Sequence, residues 1–435
     1  MKKRTRNKLL AIVTAILLAA IMVVPGLGTL KAGAATNYTP VAGGRTEFTK
    51  YLVIPSDTPK VPALTFAYSI EPGSKVDGGV GTMPIYAGND AGRVSGTPTI
   101  ALGQAAFGDS DTTTGGTPAD NTDTTKKYAQ KAVTIDFSNV TFSEPGVYRY
   151  LVTEDTTTPA NVTFDSKPVR TLDVNVVDNG NGDLVVSYVM YYGTVTSAQD
   201  KTDSRTYVDD NKTSDQTGIT DGDKCDNFVN SWPAQNLYFG KKISGNQASK
   251  DKYFRFTVKI KDAPANTHIG VTGNLETNPI PENINGATEF VATDLVDGTP
   301  KTFTNPVSFT TDTNGEATAV FYLQGDQYVC LQGIPKNTKY EIEEDDSYIK
   351  DGYVSTATDS TKAATAFSIG SLTFDDDVSG TLITDDVYAG FTNTKNGTIP
   401  TGVILSVAPW AIAGVVILAG VVFFAIRSRK KYEEE

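Results

Sequence analysis

The chain has 435 residues, with 50 acidic against 38 basic side chains, two cysteines and one histidine. A net charge of −12 disfavours nucleic acid and anionic lipid surfaces as partners. One histidine and two cysteines cannot build a His-rich metal centre or a disulfide framework, and no phosphate loop, CxxC pair or nucleophile elbow occurs. No cofactor or metal is expected, and the acidic turn at 312–315 lacks the EF-hand ligand spacing.

The N-terminus places Lys2, Lys3, Arg4, Arg6 and Lys8 before an apolar stretch at 9–24 and the small residues of 32–35. That order predicts a secretory signal peptide over 1–35. The mature body then begins near residue 36. Removing ten basic and three acidic residues at the two ends takes the net charge from −12 to −19, which suits a solvated extracellular protein.

The body alternates apolar and polar residues with a period of two, as at 65–70, 147–152 and 254–260. Asp178-Asn179-Gly180-Asn181-Gly182 reads as a hairpin between two Val-rich strands. The polar stretch 109–125 is expected to be a mobile surface loop, and His268 a loop residue. Many short strands with frequent turns predict an all-β protein. Its length fits two tandem β-sandwiches, over 36–231 and 236–395, with the boundary in Ser231-Trp232-Pro233-Ala234-Gln235. Cys225 and Cys330 could pair in an oxidising compartment, but they fall in different halves, which argues against a bridge.

An internal repeat supports two units. Lys50 (in Phe48-Thr49-Lys50-Tyr51-Leu52) and Lys241 (in Phe239-Gly240-Lys241-Lys242-Ile243) are 191 residues apart. Glu154 and Glu344, each closing an alternating segment, are 190 apart, and Asn230 and Asn393 are 163 apart. Each half therefore offers a lysine early, a glutamate late and an asparagine last.

At the C-terminus, residues 399–402 read Ile399-Pro400-Thr401-Gly402. A charge-free apolar run follows at 403–426, then a basic tail over 427–435. The run is long enough to cross a bilayer as a helix, and the basic cluster should stay cytoplasmic. A short polar motif before a span and a basic stop predicts a sortase substrate. It would be cut within this motif, and the new C-terminus would be joined to an amine.

Taken together, these segments resemble the two-domain major pilins of Gram-positive bacteria, of the streptococcal T-antigen type. The residues that carry the likeness run from Thr49-Lys50 through Pro145-Gly146-Val147-Tyr148, Val152-Thr153-Glu154, Phe228-Val229-Asn230-Ser231, Lys241-Lys242-Ile243-Ser244-Gly245, Glu344-Asp345-Asp346 and Phe391-Thr392-Asn393 to the sorting motif. The resemblance implies Ig-like, CnaB-type domains. It also implies an intramolecular isopeptide bond in each: Lys50 to Asn230 assisted by Glu154, and Lys241 to Asn393 assisted by Glu344. Burial would leave the amine neutral and the carboxyl protonated, and that acid would donate to the asparagine carbonyl.

The resemblance further implies polymerisation by a pilus-specific sortase. Thr401 of one subunit would be joined to a lysine before the first domain's last strand in an identical subunit. Lys224 occupies that place, six residues before Asn230 where the family has seven. Lys336 reads as a turn. Minor pilins or a tip adhesin, and cell-wall peptidoglycan, are the other expected partners. A monomeric wall-anchored adhesin is the competing reading, and a surface enzyme lacks a site.

Overall fold

The computed structural model describes residues 38–78, 84–95, 99–196, 212–275, 279–284, 287–292, 307–355, 366–397, 413 and 415–423. The signal segment, the sorting motif and most of the apolar C-terminal run lie outside the described residues. No described helix is long and apolar enough to cross a membrane.

Seven principal strands precede Trp232: β1 (Arg45–Pro55), β2 (Tyr68–Pro72), β3 (Lys126–Asp136), β4 (Gly146–Glu154), β5 (Val169–Asp178), β6 (Leu184–Tyr192) and β7 (Asn227–Ser231). They form two sheets. One runs β7-β1-β3 and the other β6-β5-β4-β2. Eight follow: β8 (Ala234–Ser244), β9 (Phe254–Lys261), β10 (His268–Gly273), β11 (Val307–Thr310), β12 (Ala317–Leu323), β13 (Gln327–Pro335), β14 (Lys339–Glu344) and β15 (Val387–Thr394). Their sheets run β11-β10-β13-β8-β15 and β12-β9-β14.

Period-two burial explains why the sheets stack. Phe48, Leu52, Val133 and Ile135 from one sheet share a core with Tyr148, Val152, Leu172 and Val174 from the other. Leu237, Phe239, Val329 and Phe391 meet Phe256, Val258, Phe321 and Ile342 in a second core. Only Trp232 and Pro233 separate β7 from β8. Trp232 is buried in the first core, and Asn236 Nδ2 donates to Asp57 Oδ2 at 2.7 Å.

The hairpin at 178–182 forms as expected. Asp178 Oδ1 accepts from the N–H of Gly180 at 2.9 Å and of Gly182 at 3.0 Å, and both glycines hold positive φ. Lys336 and Asn337 form the turn between β13 and β14. Two expectations change. The segment 109–125 is pinned rather than loose: Thr114–Gly115 pairs with β3, Asp111 Oδ1 binds Lys131 Nζ at 2.6 Å, and Asp120 and Asp123 close Asx turns. Asp120 and Asp123 serve its own backbone. His268 opens strand β10 instead of sitting in a loop, with Nδ1 3.2 Å from Thr310 Oγ1.

Candidate functional site

In each half the first long strand and the last strand are neighbours and run parallel, β1 beside β7 and β8 beside β15. The registers agree. Lys50 stands opposite Phe228, and Asn230 opposite Leu52. Lys241 stands opposite Phe391, and Asn393 opposite Ile243. Lysine and asparagine are therefore diagonal neighbours on one face of the sheet. That face is the core face, because Lys50 falls in phase with Phe48 and Leu52, and Lys241 in phase with Phe239 and Ile243. Lys242, one residue out of phase, points outward to Asp326.

The glutamates come from the facing sheets. Glu154 closes β4 beside Tyr68 of β2, and Glu344 closes β14 beside Phe256 of β9. Lys50 Nζ lies 2.5 Å from Glu154 Oε1, and Asn230 Nδ2 donates to the same oxygen at 3.0 Å. In the second half Lys241 Nζ donates to Glu344 Oε1 at 2.5 Å, and Asn393 Nδ2 to that oxygen at 2.7 Å. Lys50, Lys241 and Asn393 are fully buried, and Asn230 and Glu154 nearly so. Aromatic faces enclose the amines: Phe66 is 4.7 Å from Lys50 Nζ, and Phe254 is 4.4 Å from Lys241 Nζ.

Burial governs the proton. It pushes both lysine amines down to about 8, against the attraction of their glutamates, and pushes both carboxyls up, against the attraction of their lysines. Both shifts favour a neutral amine beside a protonated acid. That is the state in which the amine can attack a carboxamide. Loss of ammonia would leave an amide between adjacent strands. The expected contact of the acid with the carbonyl oxygen is not the one found, since each glutamate touches the asparagine nitrogen. There it can relay the lysine proton to the leaving group.

The two sites differ around the carbonyl oxygen. Asn230 Oδ1 accepts the backbone N–H of Asp165 at 2.9 Å. Asn393 Oδ1 has no hydrogen-bond partner among the described residues, whereas Glu344 Oε2 accepts from Ser355 Oγ at 3.3 Å. Tyr68 Oη donates to Glu154 Oε1 at 3.4 Å and Arg170 Nη2 to Asp165 Oδ2 at 2.7 Å; these residues, with Asp165 and Ser355, were not anticipated. Arg170 alone carried a signal, being a charged residue in the inward phase of the Leu172–Val174–Val176 strand.

Lys224 is half-buried and forms a bridge with Tyr191 at the end of β6, between buried Asp223 and Cys225. It precedes β7 and pairs with the opposite sheet, so the chain changes sheets between Lys224 and Asn230. Cys225 and Cys330 are buried free thiols. No metal-holding group of His, Cys, Asp or Glu occurs among the described residues.

Sequence comparison places the chain beside isopeptide-containing and pilin sequences. Residues 103–220 match the Spy0128-like isopeptide containing domain, and residues 235–395 match a domain of unknown function, DUF7601. The first match spans Glu154, and the second spans Lys241, Glu344 and Asn393. The chain is a relative of the Gram-positive major pilins. It is 25% identical over 389 residues to a pilin of Streptococcus pyogenes serotype M1, covering 89% of this chain and 91% of that one. A solved major pilin from Streptococcus pyogenes aligns over 82% of this chain and 100% of its own at 20% identity, with a TM-score of 0.43. The T-13 major pilin from serotype GAS131465 aligns over 82% and 99% at 19% identity, with a TM-score of 0.41.

Proposed function

We propose that this protein is the structural subunit of a covalent, sortase-assembled surface pilus, built from two Ig-like, CnaB-type domains over 36–231 and 236–395. Each domain is stapled by one isopeptide bond, Lys50 to Asn230 and Lys241 to Asn393. The observation that carries this reading is the duplicate register. In both cores a buried lysine and a buried asparagine, diagonal on adjacent parallel strands, meet one oxygen of a buried glutamate.

In each core the neutral Nζ attacks the asparagine Cγ, a new C–N bond forms, and the Cγ–Nδ2 bond breaks. The glutamate passes the proton from Nζ to the departing nitrogen, and ammonia leaves. Preorganisation of this kind is worth roughly 7–11 kcal/mol of barrier. The step occurs once per bond, so the chain is its own substrate and no enzyme in the ordinary sense.

The precursor is exported by its signal peptide and held by the apolar run at 403–426. A pilus-specific sortase cuts after Thr401 and transfers that threonine to Lys224 of the next identical subunit. The finished polymer stands on the cell wall, joined to peptidoglycan, with minor pilins or a tip adhesin as companions. The test is an SDS gel of cell-wall extracts. A ladder of SDS-resistant oligomers is expected, and Lys224→Ala should collapse it to monomer. A persistent ladder would exclude Lys224 as acceptor. No ladder from the unaltered chain would favour a monomeric wall-anchored adhesin.

A further inference from the structure

We infer that the two cross-links are promoted by different electrophilic devices, and that the first one depends on a backbone oxyanion donor, the N–H of Asp165, with no counterpart at the second among the described residues. This inference rests on the isopeptide reading above.

Nucleophilic attack on a carboxamide places negative charge on Oδ1. A donor fixed at that oxygen before reaction stabilises the charge with no reorganisation. In the first core the Asp165 N–H already lies 2.9 Å from Asn230 Oδ1. It also fixes which way the amide faces: oxygen to Asp165, nitrogen to Glu154 Oε1 at 3.0 Å. Nucleophile side, leaving-group side and oxyanion side are thereby separated.

The donor is held rigidly. Asp165 Oδ2 accepts from Arg170 Nη2 at 2.7 Å and from the Val229 N–H at 3.1 Å, while Oδ1 accepts from the Lys167 N–H at 3.0 Å. Val229 is the residue before Asn230, so the loop bearing the donor is tied to the strand bearing the electrophile. Arg170 is fully buried. Its Nε donates to the Asn227 carbonyl at 2.9 Å, and its guanidinium lies 4.2 Å from the Phe228 ring. Arg170 is thus a positioning residue, gripping both sides of the site. A buried Arg–Asp pair is a costly way to gain stability alone, whereas fixing a reacting geometry gives it a use.

Among the described residues the second core shows no counterpart. Asn393 Oδ1 is without a partner among the described residues. With no fixed donor, the Asn393 amide can turn so that its oxygen accepts from protonated Glu344. One carboxyl then serves both as oxyanion donor and as proton relay. In the first core those tasks belong to two groups.

The test uses the full chain made by cell-free synthesis, quenched at intervals and digested. Mass spectrometry then follows ammonia loss separately at Lys50–Asn230 and Lys241–Asn393. Replacing Asp165 by its α-hydroxy acid analogue turns the N–H into an ester oxygen while keeping the side chain. The expected result is a slowing of the first cross-link by about tenfold or more, with the second at its unaltered rate. Asp165→Asn keeps the N–H but removes the carboxylate that grips Arg170, and should slow the first site less than the ester does. Arg170→Lys, which loses the fork, should slow only the first site. An ester chain that matures at the original rate at the first site, or slows equally at both, overturns the inference. Failure of both ammonia losses in the unaltered chain would instead remove the isopeptide reading itself.

Discussion

Lys50 and Asn230 reach the same oxygen, Glu154 Oε1, from neighbouring parallel strands 180 residues apart in sequence. The first and last strands of the unit are thereby brought to one point in its core. Lys241 and Asn393 repeat the relationship on Glu344.

Because each glutamate serves one pair, its loss should be local. Glu154→Gln removes the titratable relay and should block the Lys50–Asn230 bond alone, and Glu344→Gln the Lys241–Asn393 bond alone. On the chain-entropy model each missing bond costs roughly 5 kcal/mol. For units of this size that corresponds to a fall in Tm of roughly 10–20 °C. Calorimetry on the single variants, with site-resolved peptide mapping, checks both parts.

The lysines also predict a pH signature confined to the unlinked protein. In an Asn230→Ala, Asn393→Ala double variant both amines still titrate. Their folded pKa of about 8 lies below the ordinary 10.5, so between those values the unfolded chain binds more protons and stability rises with pH. The glutamates act in the opposite sense, since raised carboxyl pKa values make stability fall as pH passes through them. Once linked, no amine remains to titrate. Urea denaturation at several alkaline pH values should show the rise in the double variant and none in the matured protein.

Much of this was legible in the sequence, for a physical reason. A lysine in phase with Phe48 and Leu52 breaks the apolar pattern of a strand, and the same break at Lys241 made it a repeat. The added contacts of the first asparagine carbonyl and of the second glutamate were not legible. Asp165 acts through its backbone N–H, which carries no residue signature, and Ser355 arrives from a short strand beside β15. The segment 109–125 misled because aspartates that close their own turns have the composition of a mobile loop.

Force should be carried by the staples. With the second bond formed, tension would enter at Lys241 on β8 and leave at Asn393 on the adjacent β15, shielding the intervening chain. Single-molecule pulling should show no extension from this unit. Asn393→Ala should release an added contour length of roughly 50 nm, given about 3.4 Å per extended residue.

The thiols should be inert. Burial pushes Cys225 up, and Cys330 up to about 12, so neither forms a ready thiolate. Alkylation should label neither in the native protein and both after denaturation, and reductant should leave Tm unchanged.

The most direct measurement is the intact mass of the mature protein at isotopic resolution. Two formed bonds predict a mass below the sequence value by two molecules of ammonia. One loss should persist in Glu154→Gln and none in the double glutamine variant. A mature protein at its full sequence mass would contradict the account.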